Sequence, residues 1–145
     1  KLIELTDEAI IYNSFDIDEL LYEGAVVYVK TDMQDPTSSK MLKILQSDLI
    51  QRAKYNIKFH QKKARLIANL DEFPVYETPS FATSLATTAG FGIFFNLYPQ
   101  NLGQLPQERR SEYLDNCHNR FFYKTGEPAT LEYLTKVSSN FRQAV

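Results

Sequence analysis

The stretch that decides the fold is Ala64-Arg65-Leu66-Ile67-Ala68-Asn69-Leu70-Asp71-Glu72, an apolar segment that ends in two adjacent carboxylates. Its apolar residues predict a strand from Ala64 to Leu70, so the acids lie at the carboxyl end of that strand. Ligands bind at this edge of open α/β sheets. Asn69 is unusual inside such a strand, and we expect it to bond a neighbouring backbone or to face a helix N-terminus.

The acidic pair suits phosphate chemistry. Adjacent strand residues point to opposite faces, so Asp71 and Glu72 can take two roles. In P-loop ATPases the first acid holds Mg²⁺ opposite the phosphates, and the second can accept a proton from the attacking water. The alternative is a pair of solvated acids, because short motifs of this kind have many false positives.

Apolar periodicity switches between two and helical spacing on both sides of this stretch, which predicts alternating strands and helices. The chain already has a strand-like pattern at Leu2–Leu5. The predicted elements after it are a helix at Asp16–Tyr22, a strand buried on both faces at Ala25–Val29, a long helix through Met41–Ala53, a helix at Ser80–Ala89 capped by Gly90, a buried strand at Ile93–Tyr98, a helix at Gln107–Asn116, a strand at Arg120–Tyr123 and a helix from Glu127-Pro128 to Ser138. The order predicts one α/β domain over residues 1–145, with a mostly parallel open sheet and helices on both faces.

The next predicted strand, Ile93–Tyr98, ends in Pro99-Gln100. An amide at a neighbouring strand tip can contact the terminal phosphate or orient water. The interval between Glu72 and Gln100 leaves room for one helix, as adjacent parallel strands require. A turn glutamine in solvent is the alternative.

The composition of the chain limits its possible functions less strongly than the motifs do. The 145 residues have a formal net charge of -2 and one cysteine, so neither an overall attraction to nucleic acid nor an internal disulfide is indicated. No apolar run reaches the ~20 residues that span a bilayer. The chain starts at Lys1 without an initiator Met, and we expect a fragment.

One basic segment stands out, with aromatic residues at Tyr55 and Phe59. Its cations are Arg52, Lys54, Lys58, Lys62, Lys63 and Arg65. The segment either follows a DNA backbone or is a solvated helix end whose cations favour the helix dipole, and the sequence alone favours the helix end.

The glycine-rich phosphate loop G-x-x-x-x-G-K-[ST] does not occur in the sequence, and Gly24 is the only glycine before Gly90. Without that loop the phosphates have no backbone cradle. The chain alone is therefore not expected to bind ATP tightly.

Several segments together resemble the type IV secretion coupling proteins, the TraG/TraD family. They are Leu70-Asp71-Glu72-Phe73-Pro74, Ala89-Gly90-Phe91-Gly92-Ile93, Gln100-Asn101-Leu102-Gly103-Gln104-Leu105, Leu114-Asp115-Asn116-Cys117-His118 and Gly126-Glu127-Pro128-Ala129-Thr130-Leu131-Glu132-Tyr133-Leu134. They follow the family's order over roughly the second half of the chain, and the first half matches only loosely.

The resemblance implies a RecA-like P-loop NTPase core related to the FtsK/HerA motors, hexameric, anchored at the cytoplasmic side of the bacterial membrane. Such proteins use ATP and Mg²⁺ to bring single-stranded DNA and relaxosome proteins to a type IV secretion channel. Their phosphate loop lies upstream, which would account for its absence here. By position, Asp71 resembles the Mg²⁺-associated aspartate, Glu72 the catalytic glutamate and Gln100 the sensor. This part of the chain is expected not to touch the membrane.

The chain departs from many relatives in one respect. They carry Arg or Lys just after the Gly-x-Gly-like turn, as a candidate arginine finger, whereas this chain has apolar residues at Ile93–Phe95. The other arginines that could serve are Arg109, Arg110 and Arg120, although a surface salt bridge is the expected role of each.

Three functions therefore compete. The first is an ATPase fragment of a DNA-transfer motor. The second is a non-hydrolysing module that docks relaxosome or secretion proteins on the same scaffold. The third, a small-molecule-binding domain complete in itself, is disfavoured by the abrupt start of the chain.

Overall fold

Strands and helices alternate as far as residue 116, as the sequence predicts. The computed structural model describes residues 2–6, 15–32 and 34–142. In order, its elements are β1 (Leu2–Thr6), α1 (Ile17–Tyr22), β2 (Val26–Lys30), α2 (Pro36–His60), β3 (Leu66–Asp71), α3 (Pro79–Phe91), β4 (Ile93–Tyr98), α4 (Arg110–Asn116) and α5 (Pro128–Arg142). Short 3-10 turns at Phe73–Tyr76 and Leu102–Gln104 follow β3 and β4.

The strands are parallel, as predicted, but among the described residues they form two separate pairs instead of one open sheet. β1 pairs with β2, and β3 pairs with β4 from Leu66 opposite Ile93 to Asp71 opposite Tyr98. Helix α3 connects β3 to β4, so the two strands that carry the candidate site residues are direct neighbours.

The prediction of helices on both faces is wrong for the described part of the chain. One face of each pair is exposed: Val26 and Tyr28 retain 67% and 61% of their accessible surface, and Ile67 and Phe94 retain 67% and 54%. The continuous apolar runs of β2 and β4 are typical of strands buried on both faces. Here each strand buries only every second side chain, because helices cover one face alone.

Side chains fix where the helices begin. The carboxylate of Asp16 accepts the N–H of Asp18 at 2.9 Å, and that of Asp35 accepts the N–H of Thr37 at 3.0 Å. These N-caps satisfy amides that have no partner within the helix. Pro36 occupies the first turn of α2, where a missing N–H costs nothing.

Helix α3 ends at Gly92, two residues beyond the predicted cap at Gly90. Gly92 has φ 87°, in the left-handed region, and its N–H bonds the carbonyl of Ala89 at 3.1 Å. A Cβ at Gly92 would lie 1.9 Å from the carbonyl oxygen of Ala64, whereas one at Gly90 would meet nothing within 4 Å. Gly92 is therefore required both by its backbone conformation and by its approach to the start of β3.

An aromatic cluster fills the core beneath the carboxyl ends of β3 and β4. Phe73 is fully buried, and its ring centroid lies 5.0 Å from that of Tyr113 in an edge-to-face arrangement. Phe81 meets Phe95 in the same way at 5.0 Å. These contacts fix α3 and α4 against the turn that follows β3.

Two further predictions need correction. Residues Arg120–Tyr123 do not form a strand: Phe121 and Tyr123 are 85% and 90% exposed, and no described strand pairs with them. Helix α4 begins at Arg110 rather than near Gln107, after a turn closed by a hydrogen bond from the Arg109 N–H to the Pro106 carbonyl at 3.0 Å.

Candidate functional site

The acidic pair lies where the sequence places it, at the carboxyl end of β3. Asp71 is the last residue of the strand, and its side chain is exposed. Its backbone carbonyl accepts the hydroxyl of Tyr76 at 2.5 Å, and its carboxylate accepts the N–H of Glu72 at 3.1 Å. The chain around Asp71 is therefore fixed while most of the carboxylate remains open to solvent.

Glu72 does not continue the strand. It has φ 48° and ψ 36°, a left-handed conformation that is rare for a residue with a side chain. Such backbone strain is common at functional sites. The two acids thus differ because the chain turns sharply at Glu72, and not because they alternate along a strand as the sequence suggested.

The turn brings Glu72 to Gln100. The side-chain amide of Gln100 donates a hydrogen bond to the Glu72 carboxylate, with 2.5 Å between Nε2 and Oε1. The two residues are separated by 28 positions in the chain, and both follow the ends of neighbouring strands. The structure therefore brings the base candidate and the sensor candidate into direct contact.

The loop that carries Gln100 is held by its own side chains and by α5. The Gln100 N–H donates to the Gln104 side chain at 2.8 Å, and the Gln104 N–H donates to Asn101 at 3.1 Å. The Leu102 N–H donates to the Thr130 hydroxyl at 3.0 Å, in a buried contact. Helix α5 thus anchors the loop.

Glu127 completes this anchor. Its carboxylate accepts the amides of Ala129 and Thr130 at 2.9 and 2.8 Å and the Thr130 hydroxyl at 2.6 Å. The Thr130 hydroxyl, together with these amides, holds the pKa of Glu127 below its ordinary value. A Cβ at Gly103 would lie 2.6 Å from the same carboxylate, so a larger residue there would displace the Glu127 side chain. Two sequence segments quoted separately above therefore meet at one junction.

Asn69 takes neither of the two positions expected of it. It lies on the exposed face, opposite Asn96 in the register. Its side-chain oxygen accepts the Asn96 amide at 2.9 Å and the Tyr98 hydroxyl at 3.3 Å. This cross-strand network leads along the face toward Asp71.

Comparison with known proteins identifies the family. Residues 4–140 match the family described as type IV secretory system conjugative DNA transfer. The chain belongs to that family. The match includes the first half of the chain, which by sequence inspection resembled the family only loosely. Neither the curated proteins nor the solved structures compared with the chain include a match.

In this member of the conjugative DNA transfer family, Arg109 is bound by Glu77, which follows the 3-10 turn after β3. Arg109 forms a two-pronged ion pair with Glu77, at 2.8 and 3.0 Å, and the Tyr113 hydroxyl donates to the same carboxylate at 2.8 Å. Burial alone would raise the pKa of Glu77, but these hydrogen bonds hold it below its ordinary value. Sequence inspection missed Glu77, because no motif marks a pair formed across 32 positions.

The three arginines differ in their engagement. Arg109 forms a salt bridge, but its partner Glu77 is largely buried and not at the surface as expected. Arg110 instead donates to the Leu105 carbonyl at 3.3 Å, and Arg120 donates to the Cys117 carbonyl at 2.8 Å and to the Tyr133 hydroxyl. All three therefore already bond to groups of their own chain.

Asp71 can serve as one ligand of a divalent cation, but the described residues do not supply a complete set of ligands. Among residues 2–6, 15–32 and 34–142, no three or more His, Cys, Asp or Glu side chains are grouped to hold a metal ion. Mg²⁺ is commonly bound by one or two carboxylates together with substrate phosphates and water, so one exposed Asp71 carboxylate fits that donor set. No helix in the described part of the chain is both long and apolar enough to cross a membrane.

Proposed function

We propose that this chain is the part of an ATP-hydrolysing DNA-transfer motor that carries the acidic pair and the sensor. The family concerns conjugative DNA transfer. The observation that carries the proposal is the 2.5 Å hydrogen bond between Gln100 and Glu72. The two residues with proposed roles around one terminal phosphate lie side by side at the carboxyl ends of neighbouring parallel strands, the edge where ligands bind in open α/β sheets.

Each residue then has one role. Glu72 accepts a proton from the attacking water, and Gln100 holds the Glu72 carboxylate or, after exchanging that bond, orients the water. Asp71 is the ligand of Mg²⁺, which neutralises charge on the phosphates of ATP when it is bound. The phosphate cradle has to come from a segment outside this sequence, because the sequence contains no G-x-x-x-x-G-K-[ST] loop.

The motor function includes its partners. We propose a RecA-like core in a hexamer at the cytoplasmic side of the bacterial membrane, which moves single-stranded DNA and relaxosome proteins into a type IV secretion channel. Support comes from the family and from parallel strands joined by α3. In a hexamer a neighbouring subunit can supply the cationic group for the transition state, since Arg109, Arg110 and Arg120 are bound within their own chain.

The test is ATP turnover by the full-length parent protein, with and without single-stranded DNA, for the wild type and Glu72→Gln. We expect turnover to fall by about 10²- to 10⁴-fold, the usual contribution of a general base, while nucleotide binding is kept. Glu23→Gln is the matched control, because Glu23 is an exposed acid just after α1, outside the acidic pair and the Gln100 loop. Equal turnover by wild type and Glu72→Gln would remove Glu72 as the base.

A non-hydrolysing docking module is the second candidate. The exposed apolar side chains of Ile67 and Phe94 favour it, because apolar surface of this kind is commonly covered by another segment or protein. This candidate predicts no turnover in either protein and indifference of partner binding to Glu72→Gln.

A further inference from the structure

The end of α2 and the loop leading into β3 form a concentrated positive surface. The whole sequence has 16 Lys and Arg against 18 Asp and Glu, yet residues 49–70 contain no acid. The cations of this segment are all exposed, and they are Arg52, Lys54, Lys58, Lys62, Lys63 and Arg65. We call these side chains, with Tyr55 and Phe59, the basic surface.

Most of these cations lack an acidic partner. Arg52 forms a two-pronged pair with Asp18, at 2.9 and 2.7 Å, and Lys62 lies 4.0 Å from the centre of the Tyr22 ring. The other four have no carboxylate within 4.0 Å among the side chains that the structure describes: Lys54, Lys58, Lys63 and Arg65. Their charge is available to an external anion.

Two aromatic rings lie among the cations. Tyr55 and Phe59 are one turn apart on α2, with ring centroids 4.8 Å apart and planes tilted by 43°. They are 48% and 59% exposed. The Lys58 ammonium lies 5.0 Å from the centre of the Phe59 ring, and the Arg52 guanidinium lies 5.9 Å from that of Tyr55. Exposed rings bordered by cations are the combination that binds stacked bases along a phosphate chain.

The helix dipole explains only part of this surface. Cations in the last turn of a helix are favoured by its negative end, which accounts for Lys58. Lys62, Lys63 and Arg65 lie beyond the helix, which ends at His60. The dipole also gives no reason to leave two aromatic rings in solvent, and these two observations reverse the preference that the sequence alone gives.

We propose that the basic surface binds single-stranded DNA, with phosphates at Lys54, Lys58, Lys63 and Arg65 and bases stacked on Tyr55 and Phe59. Charge complementarity requires a polyanion, and the family concerns DNA transfer. A single strand is favoured over a duplex because only unpaired bases offer their faces to the rings. The inference rests on the proposed function and extends it from the ATP site to the substrate.

The location separates the two ligands. Arg65 immediately precedes β3 at its amino end, whereas Asp71 and Glu72 lie at its carboxyl end. At about 3.3 Å per residue the six steps from Arg65 to Asp71 keep them roughly 20 Å apart. DNA on the basic surface therefore leaves the candidate ATP site unobstructed.

The test is the fluorescence anisotropy of a labelled oligothymidylate of about 16 nucleotides, within the length range that single-strand-binding sites cover. The full-length protein is titrated without ATP over a range of salt concentrations. The double variant Tyr55→Ala/Phe59→Ala should bind at least about 30-fold more weakly, with an unchanged salt dependence. Lys54→Gln/Lys63→Gln should reduce the slope of log affinity against log salt by about 0.7 for each phosphate that is no longer neutralised.

The matched control is Phe121→Ala/Tyr123→Ala, which removes two rings that are 85% and 90% exposed beside Arg120 and Lys124. It should bind like the wild type, and circular dichroism should show that all variants are folded. Unchanged affinity after loss of Tyr55 and Phe59 overturns the proposal, and so does equal affinity for a duplex.

A lipid surface is the other polyanion to exclude. Cosedimentation with phosphatidylserine vesicles that is lost in Lys54→Gln/Lys63→Gln, without oligonucleotide binding by the wild type, would assign the basic surface to the membrane and overturn the proposal. Because ATP is absent, Glu72→Gln should bind DNA like the wild type. Loss of turnover and loss of DNA binding are therefore separate outcomes, and failure of the motor proposal is distinguishable from failure of this one.

Discussion

At the amino ends of β3 and β4, hydrogen bonds between backbone atoms join the two segments. At their carboxyl ends, a hydrogen bond between side chains joins them. The Ala64 N–H donates to the Phe91 carbonyl at 2.9 Å, and the Leu66 N–H donates to the Gly92 carbonyl at 3.1 Å. The carboxyl end depends on Gln100 and Glu72 instead. Hydrogen bonds between backbone atoms fix the two segments relative to each other. An exposed hydrogen bond between side chains can instead be exchanged for a hydrogen bond to a ligand.

The charges follow the same division. Cations without acidic partners gather at the amino end, and carboxylates gather at the carboxyl end. Under the two proposals above, the rigid amino end binds DNA and the adjustable carboxyl end carries out hydrolysis. Substitutions at each end test this contrast.

The largest effect is expected at the amino end, from Gly92→Ala. The new Cβ would lie 1.9 Å from the Ala64 carbonyl oxygen, at a residue whose φ is 87°. Backbone would have to move at both strands, and we expect a loss of at least about 3 kcal/mol in the free energy of unfolding. Urea denaturation followed by circular dichroism measures it.

Gly90→Ala is the control for that experiment. A Cβ there meets nothing within 4 Å, and the residue is helical. The change should be neutral or should stabilise by up to about 1 kcal/mol, because alanine favours helix. Equal effects of the two substitutions would show that the amino end is not closed as described.

A smaller effect is expected beneath the carboxyl end, from Glu77→Gln. Only 6% of the Glu77 side chain is exposed, and the substitution removes its negative charge and replaces one of the two oxygens that accept from Arg109 with an amide donor. We expect the free energy of unfolding to fall by about 2 kcal/mol at neutral pH.

The sign of the pH dependence follows from the lowered pKa of Glu77. The contribution of the Glu77 carboxylate to the free energy of unfolding is complete above its ordinary pKa of 4.5. It is lost as the pH falls through the lower pKa that Glu77 has in the folded protein. The stability difference between wild type and Glu77→Gln should therefore shrink from about pH 6 to about pH 3. Glu132→Gln, at a pair with 67% of its acid exposed, should show a much smaller difference, because solvent screens that pair. A constant difference across this range would contradict the role of Glu77.

These effects mark the limit of sequence reasoning. The positions of Asp71 and Gln100 could be predicted, because consecutive parallel strands end at one edge and an apolar run fixes where each ends. The pairing of Glu72 with Gln100 needed the left-handed turn at Glu72, which no local pattern indicates. The sequence does not show which of Gly90 and Gly92 has to be glycine. Only the close approach of the Ala64 carbonyl, which is distant in the sequence, shows that it is Gly92.

The exposed faces could not be predicted for a related reason. A run such as that of β4 is apolar on both sides, and its sequence is the same whether one face or two are covered. At Phe121–Tyr123 the same apolar signal has no neighbouring strand among the described residues, and the segment is exposed and has no regular secondary structure. The apolar periodicity shows which side chains favour burial. Whether they are buried depends on which segments are available to pack against them.

The smallest effect is expected from Thr130→Val, which tests whether α5 sets the position of Gln100. Thr130 is 3% exposed, and its hydroxyl accepts the Leu102 N–H at 3.0 Å. Valine has nearly the same volume but leaves that buried amide unpaired, at a cost of about 1–2 kcal/mol. If the proposed motor function holds, turnover by the full-length protein should also fall, by roughly threefold, with little change in KM.

Thr135→Val is the matched control, on the same helix. The Thr135 hydroxyl is exposed and donates only to the Leu131 carbonyl at 2.8 Å, so its loss should change neither stability nor turnover measurably. A fall in stability without a fall in turnover for Thr130→Val would mean that the adjustable end tolerates movement of the Gln100 loop. A fall in both would show that the side chains closing this end also set the geometry of the chemistry, because the substituted hydroxyl lies in a helix that never touches Glu72.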